Sequence, residues 1–261
     1  MAELAIIGGS GFYQPGILTE PREIDVNTPY GTVQPLLGKA GGVEVAFIPR
    51  HGKEHSLLPH QLNYRANIWA LKELGVKRII ATSAVGSLNR SYRPGTMAVI
   101  DQFLDFTKQR PFTFFDQGDA FRAHVDMTGP YCPELRRIII KAASIIKVPV
   151  QPTGCYVCAE GPRYETAAEI KMYRKLGGDV VGMTGVPEVV LARELGVCYA
   201  GISTITNWAA GLSKKPLTHQ EVVAVMKDNQ AKLRELILRT LTMVGQSWIN
   251  CECGQNNKGE G

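Results

Sequence analysis

The sequence has no apolar run near the about 18 residues that a membrane-spanning helix needs, so such a helix is not expected. It has no block of like charge either: 29 lysines and arginines lie scattered along the chain, and the net charge is a mild +5. That leaves no footprint for nucleic acid or an anionic membrane, although a pocket for small anions fits the same balance. The opening MAELAIIGG lacks the basic start and cleavage region of a signal peptide, which points to the cytoplasm. Internal repeats and linker-like shifts of composition are also missing, so one domain over residues 1–248 is expected. Residues 249–261, ending in the polar and glycine-rich CGQNNKGEG, read as a flexible tail.

Cysteines are few and badly spaced for metal. Of Cys132, Cys155, Cys158, Cys198, Cys251 and Cys253, no two pairs sit at zinc-finger spacing. Cys155 and Cys158 form a C-x-x-C, but the residues around them read as strand, where positions three apart face opposite sides. Reduced, buried and inert thiols are expected there, with no metal site. Cys251 and Cys253 read as exposed enough to oxidise.

What is present suits a soluble α/β protein. A chain that is 44% hydrophobic and 20% charged can bury a sizeable core. Apolar, β-rich runs recur at 4–7, 43–48, 78–82, 97–101, 155–159, 179–183 and 197–205. Between several of them lie helical patterns: 60–74 after Pro59, 132–146, 166–177, 186–195 and a long one at 217–245. Thr166 with Glu169, and Thr218 with Glu221, have capping-box spacing. Strands alternating with helices predict a single α/β domain with a mixed, largely parallel central sheet flanked by helices.

AIIGGSGFYQPG at residues 5–16 reads as a strand running into a phosphate-type loop. A dinucleotide fingerprint fails, because the third glycine position holds Gln14 followed by Pro15. A triphosphate loop fails for want of G-K-[ST]. The loop is then either a plain tight turn or a seat for one small oxyanion, with Ser10 supplying a hydroxyl. Other pieces favour the anion. FIPRHGKEH puts Arg50 and His51 at a strand end, and an arginine fork matches a tetrahedral anion. TSAVGSL ends a strand with Ser83 and Ala84, a source of backbone N–H donors. GMTGVPE sets Thr184 just before a helix N-terminus, where anions are favoured. All four pieces fall at the carboxyl ends of strands, where open α/β sheets hold ligands, so a phosphate site is expected.

IIGGSG, RHG, NYRANIWALKELG, TSAVGSL, EGPRYETAAE, GMTGVPEVVLAREL and the TN at 206–207 together resemble the purine nucleoside phosphorylases. The branch that contains the methylthioadenosine phosphorylases is the most similar, over about residues 4–245. The resemblance implies phosphorolysis, in which nucleoside and inorganic phosphate give free purine and pentose 1-phosphate, without metal or organic cofactor. It implies a homo-oligomer, a trimer or dimer of trimers with sites near subunit interfaces. It also implies that Ser10, Arg50, His51, Ser83, Ala84 and Thr184 bind phosphate and that Met183 lies against the ribose. His124 resembles a position that reaches a neighbouring subunit's pocket near the sugar 5′ end.

One segment departs from the methylthioadenosine pattern. Those enzymes resemble one another in having aspartates where TNWAAG carries Asn207 and Ala209, so Asn207, Trp208 and Ala209 become the expected purine contacts. An ionised aspartate only accepts hydrogen bonds and opposes a 6-oxo group with oxygen. Asparagine can give to O6 and receive from a protonated N7. Glu165 stands where similar 6-oxopurine phosphorylases have a glutamate, which accepts from purine N1–H; adenine offers only a lone pair there. His219 resembles a histidine that touches the 5′-hydroxyl. Asn207, Arg50 and His51 are the expected catalytic residues. The expected activity is phosphorolysis of inosine and guanosine in purine salvage. The alternatives are a methylthioinosine or methylthioadenosine phosphorylase, and a nucleoside-binding protein without turnover.

Overall fold

The structure is a computed structural model that describes residues 2–12, 15–52, 56–116, 124–213, 218–246 and 251–254. In chain order its strands are β1 (Leu4–Gly8), β2 (Thr19–Glu23), β3 (Val26–Thr28), β4 (Gly31–Val33), β5 (Leu36–Ala40) and β6 (Val43–Pro49). These are followed by β7 (Arg78–Ser87), β8 (Met97–Val99), β9 (Gln102–Phe106), β10 (Val150–Gln151), β11 (Cys155–Ala159), β12 (Val180–Gly182) and β13 (Cys198–Trp208). The described helices are α1 (Tyr64–Glu73), α2 (Pro133–Ile145), α3 (Ala167–Lys175), α4 (Gly185–Glu194) and α5 (His219–Gly245).

These elements form a single α/β domain around a mixed sheet. The central order is β10-β8-β13-β7-β1-β6-β5-β2. A branch runs from β7 through β12 and β11 to β9. The middle is parallel, as expected: β13, β7, β1 and β6 all run the same way. The margins β2 and β5 are antiparallel, and β3 and β4 form a separate hairpin. The sequence reading missed β2 to β5, and the burial explains it. Strand β2, TEPRE, is exposed throughout, so it has neither an apolar run nor alternation to read.

Helix boundaries follow local chemistry. The predicted helix at 60–74 begins at Tyr64 instead, because the Asn63 side chain caps it by accepting the Ala66 N–H at 3.1 Å. Thr166 and Glu169 form the full reciprocal capping box on α3. Thr218 accepts the Glu221 N–H at 3.3 Å to start α5.

Both faces of the sheet are covered. Ile7, Ile79 and Ala81 belong to one apolar cluster with Ile68 and Leu71 of α1 and Val189 of α4. Ile6 and Ile80 point to the opposite side, into a cluster with Leu135 and Ile139 of α2 and Leu233, Ile237 and Leu241 of α5. Continuous apolar strands such as LAII and RIIA are what a sheet buried on both faces requires.

The expected exposure of Cys251 and Cys253 is corrected. Cys251 is half-buried and Cys253 is 4% exposed, in a short helical turn at Glu252–Gly254 that joins the α2–α5 cluster. A sequence of polar residues and glycine carried no hint of a distant apolar surface to receive it. Among the described residues no helix is long and apolar enough to cross a membrane.

Ile80 lies fully buried on the central strand between α2 and α5. Ile80→Ala is expected to lower stability by about 2–5 kcal/mol through lost burial and a residual cavity. Equilibrium denaturation checks this, and a loss below about 1 kcal/mol would show that the site collapses or that the packing is looser.

Candidate active site

A change of partners along β7 makes the crevice. β13 pairs with one edge of β7 from Arg78 to Ser87. On the other edge, β1 runs parallel as far as Ala81, and β12 pairs antiparallel at Gly86 and Ser87. Between those two neighbours the edge of β7 faces a cavity of about 350 Å³, to which Ser83, Ala84, Val85 and Gly86 contribute. The strand expected at 78–82 is thus longer, and TSAVGS forms its carboxyl half. The strand continues to Ser87 because β13 is long enough to keep pairing with it.

The same cavity gathers Ser10, Arg50, His51, Ser83, Ala84, Thr184, Met183, Glu165, Asn207 and Ala209. Trp208 and His124 are not among its lining residues: Trp208 contributes a backbone carbonyl to the site, and His124 is exposed outside it. The His219 side chain lies outside the described part of the structure, although Val222, on the same helix, lines the cavity.

Arg50 follows β6 and is buried with its partner Glu188, from α4. Its Nε donates to Glu188 Oε1, and one Nη donates to Oε2 at 2.8 Å. The other Nη gives to the Thr82 carbonyl at 2.6 Å. A guanidinium has five N–H groups, so this bidentate pairing leaves donors to direct elsewhere. Burial works to lower the Arg50 pKa, but the Glu188 carboxylate overcomes it and holds the charge firmly on. Tyr199 completes the shell by donating to Glu188 Oε2 at 2.6 Å.

The glycine loop supports this arginine by its lack of side chains. A Cβ on Gly9 would sit 2.3 Å from the Thr82 carbonyl and 2.5 Å from an Arg50 Nη. The Gly9 N–H is taken by Thr82 Oγ1 at 2.9 Å. Gly9 is therefore explained by close packing around Arg50, and Ser10 is the part of the loop that reaches the cavity.

His51 Nδ1 lies 2.8 Å from the Leu57 carbonyl. A carbonyl only accepts, so Nδ1 carries the proton and the tautomer is fixed. At Thr184 the helix-end reading needs correction. The N–H groups of Thr184 and Gly185 reach the Tyr156 hydroxyl at 3.2 and 3.5 Å, so a phenol occupies the start of α4. Burial pushes the Tyr156 pKa up to about 12, which keeps that phenol neutral. The Thr184 side chain makes no cap bond and lines the cavity.

The second set of polar groups comes from the end of β13. A bulge between Ile205 and Asn207 lets Thr206 and Asn207, consecutive residues, both line the cavity. Asn207 is 4% exposed. Its Nδ2 donates to the Trp208 carbonyl at 3.0 Å, which fixes which side of the amide is NH₂. Its Oδ1 accepts from the Thr206 hydroxyl at 2.7 Å. One N–H and one lone pair remain to face a ligand. Glu165 is 9% exposed, and burial raises its carboxyl pKa against a weaker opposing hydrogen bond from its own backbone.

Sequence reasoning missed Glu188, Tyr156, Tyr199, Thr206 and Arg110. Glu188 had a signal: an acid among the valines of GVPEVVLA needs a buried cation as partner. Arg110 had none. It donates to the carbonyls of Met183 and Glu160 and to the Tyr64 hydroxyl, joining two segments that wall the cavity.

Comparison with known proteins shows the family. The profile of the Phosphorylase superfamily matches residues 3–242. The chain belongs to this family and is an enzyme of the nucleoside phosphorylase class, a pentosyltransferase that uses inorganic phosphate. It is 53% identical to the 6-oxopurine nucleoside phosphorylase of Pyrococcus furiosus, covering 99% of both chains. It is also 52% identical to the S-methyl-5′-thioadenosine phosphorylase of Pyrococcus horikoshii, over 97% of this chain and 96% of the other. Among solved structures, methylthioadenosine phosphorylase from Schistosoma mansoni in complex with adenine superposes with a TM-score of 0.90 at 33% identity. That match covers 95% of this chain and 93% of that one.

Glu188→Ala would leave Arg50 charged, buried and without its counter-ion. The expected cost is about 3–5 kcal/mol of stability, read by denaturation. A change below about 1 kcal/mol would mean that solvent reaches Arg50 and that the pair does not hold the site.

Proposed function

We propose that the enzyme is a 6-oxopurine nucleoside phosphorylase that cleaves inosine and guanosine with phosphate, in the cytoplasm and in purine salvage. Overall similarity does not choose between the alternatives, because relatives with oxopurine and methylthioadenosine names stand at 53% and 52% identity. The choice rests on chemistry at one point. The Asn207 carboxamide, oriented by Thr206 and Trp208, offers one donor and one acceptor beside a cavity that Glu165 also lines. That set complements purine O6, N7 and N1–H together. Adenine has no N1–H, and a site built around a ligand donor can reject analogues lacking it by ~10⁴.

In this mechanism Arg50, His51, Ser10, Ser83 and Thr184 hold phosphate. Phosphate oxygen attacks C1′ as the bond from C1′ to the base nitrogen breaks, through an oxocarbenium-like state. The anion's charge stabilises that cation. The departing purine gains negative charge and takes up a proton at N7 from water, phosphate returning its own proton to solvent, and the N7–H bond to Asn207 Oδ1 strengthens as the base leaves. An interaction that is tighter in the transition state raises the rate as well as the affinity. No metal or organic cofactor takes part.

A trimer or dimer of trimers is part of the same reading. Leu57, Leu58 and Tyr164 line the cavity yet are 41%, 46% and 40% exposed, which supports a neighbouring subunit covering the mouth. One observation supports a second reading, phosphorolysis of 5′-methylthioinosine: apolar Val222, on the helix that carries His219, lines the cavity and would suit a thioether.

Inosine, guanosine, adenosine, methylthioinosine and methylthioadenosine, each with and without phosphate, form the deciding panel. Base release is expected only with phosphate and much faster for inosine than for adenosine; equal rates would defeat the specificity. Asn207→Asp should lower inosine turnover by about 10²-fold and spare or improve adenosine. Unchanged ratios would remove Asn207 from base reading.

A pH dependence follows from Glu165. Its folded pKa lies above the ordinary 4.5, so the neutral form persists to higher pH, whereas purine N1–H needs the carboxylate. kcat/KM for inosine should therefore rise with pH through that raised value and then level off. Glu165→Gln should be slower and lack this acid limb. An unaltered profile in Glu165→Gln would assign the limb to another group.

A further inference from the structure

Four of the six cysteines meet in the core, away from the phosphate and purine residues. The sulfurs of Cys132, Cys198, Cys251 and Cys253 all lie within 4.8 Å of one another. All are free thiols, and the Cys198 and Cys251 sulfurs lie 3.2 Å apart. A tetrahedral zinc–sulfur site has bonds of about 2.3 Å and hence sulfurs about 3.8 Å apart, the spacing this cluster brackets.

Three separate segments bring the sulfurs together. Cys132 is the N-cap of α2, where its sulfur accepts the Leu135 N–H at 3.5 Å. Cys198 opens β13, and the Cys132 N–H holds the neighbouring Tyr199 carbonyl at 2.9 Å. Cys251 and Cys253 arrive on the terminal segment, where the turn at Glu252–Gly254 brings both sulfurs to the same place. The bland reading is that cysteine serves as a small apolar filler. Filling volume does not require four thiols aimed at one point from three segments. Nor does it explain why two alternate residues of a polar C-E-C turn should share that point.

We propose that Cys132, Cys198, Cys251 and Cys253 bind one zinc ion as a closed tetrathiolate site that staples the C-terminal segment to α2 and β13. Soft thiolate donors with no carboxylate or imidazole among them select such a cation, and four protein ligands leave no position open for chemistry. On binding, the sulfurs give up their protons to solvent and the centre carries a net charge of 2−. Buried Arg193 lies within electrostatic reach of Cys253, and its Nε has no hydrogen-bond partner among the described residues. Its guanidinium offsets part of that charge.

The site is structural. Cys198 stands nine residues before Asn207 on the same strand, about 30 Å away along an extended chain. Metal loss should therefore lower the unfolding temperature while leaving phosphorolysis at moderate temperature unchanged.

Metal analysis of the full-length protein, purified under reducing conditions without chelator, tests this. One zinc per chain is expected, released on titration of the thiols with a mercurial. Cobalt added to the metal-free protein should give the thiolate charge-transfer bands of a tetrahedral tetrathiolate. Cys253→Ser should lose stoichiometric zinc and melt earlier, while Cys155→Ser keeps both. If Cys253→Ser fails to fold, the zinc content and cobalt spectrum of the parent protein still decide. Zinc well below one per chain would overturn the proposal, whether the thiols are titratable or the intact mass is lowered by hydrogens lost in disulfide formation. A cobalt spectrum without thiolate bands would overturn it as well.

Discussion

The ion pair between Arg50 and Glu188 is the constraint on which the site depends. Neither charge could be buried alone, because each would lose its hydration with nothing in return. Together they fix the end of β6 against α4, with the Thr82 carbonyl and the bare backbone of Gly9 completing the seat. The pair is neutral overall, but it holds the guanidinium beside the cavity with donors not committed among the described residues. Apolar packing on both faces of the sheet keeps water away and so keeps the pairing strong.

Around that fixed charge, two departures from regular pairing make the rest of the pocket. β7 leaves one parallel neighbour and acquires an antiparallel one, which opens its edge between them. β13 carries a bulge that turns two successive residues toward the same space. A sheet without either feature would bury these groups in its own ladder. Thr206 and Asn207 therefore sit on a strand, whose position is set by many backbone hydrogen bonds, and Asn207 is further locked by its two immediate neighbours in sequence. Rigid support of this kind holds the Asn207 carboxamide in a single orientation.

Overall likeness does not separate the substrate names that this chain's relatives carry. Relatives with different substrate names are nearly equally similar to this chain, and one fold can host different specificities because substrate choice lies in the site. In the proposed function, the number and polarity of hydrogen bonds offered by Asn207 and Glu165 carry the distinction.

Much of the central sheet was legible in the sequence because its signals are local: LAII and RIIA as doubly buried strands, Thr166 with Glu169 as a helix start, Arg50 and His51 as polar residues at the end of a strand. Exposed strands such as β2 were not, since they carry no apolar pattern. The extension of β7 to Ser87 was not either, since it depends on the length of a partner more than 100 residues away. The capping of α4 by Tyr156 and the convergence of four cysteines belong to the same class. By itself, then, the sequence determined the elements whose causes lie within a few residues, and it named candidate polar groups such as Arg50, His51 and Asn207. Tertiary structure alone decided which of those groups share a cavity, which amides are already satisfied and which thiols meet, because such contacts form only when distant segments are brought together by the packing of the core.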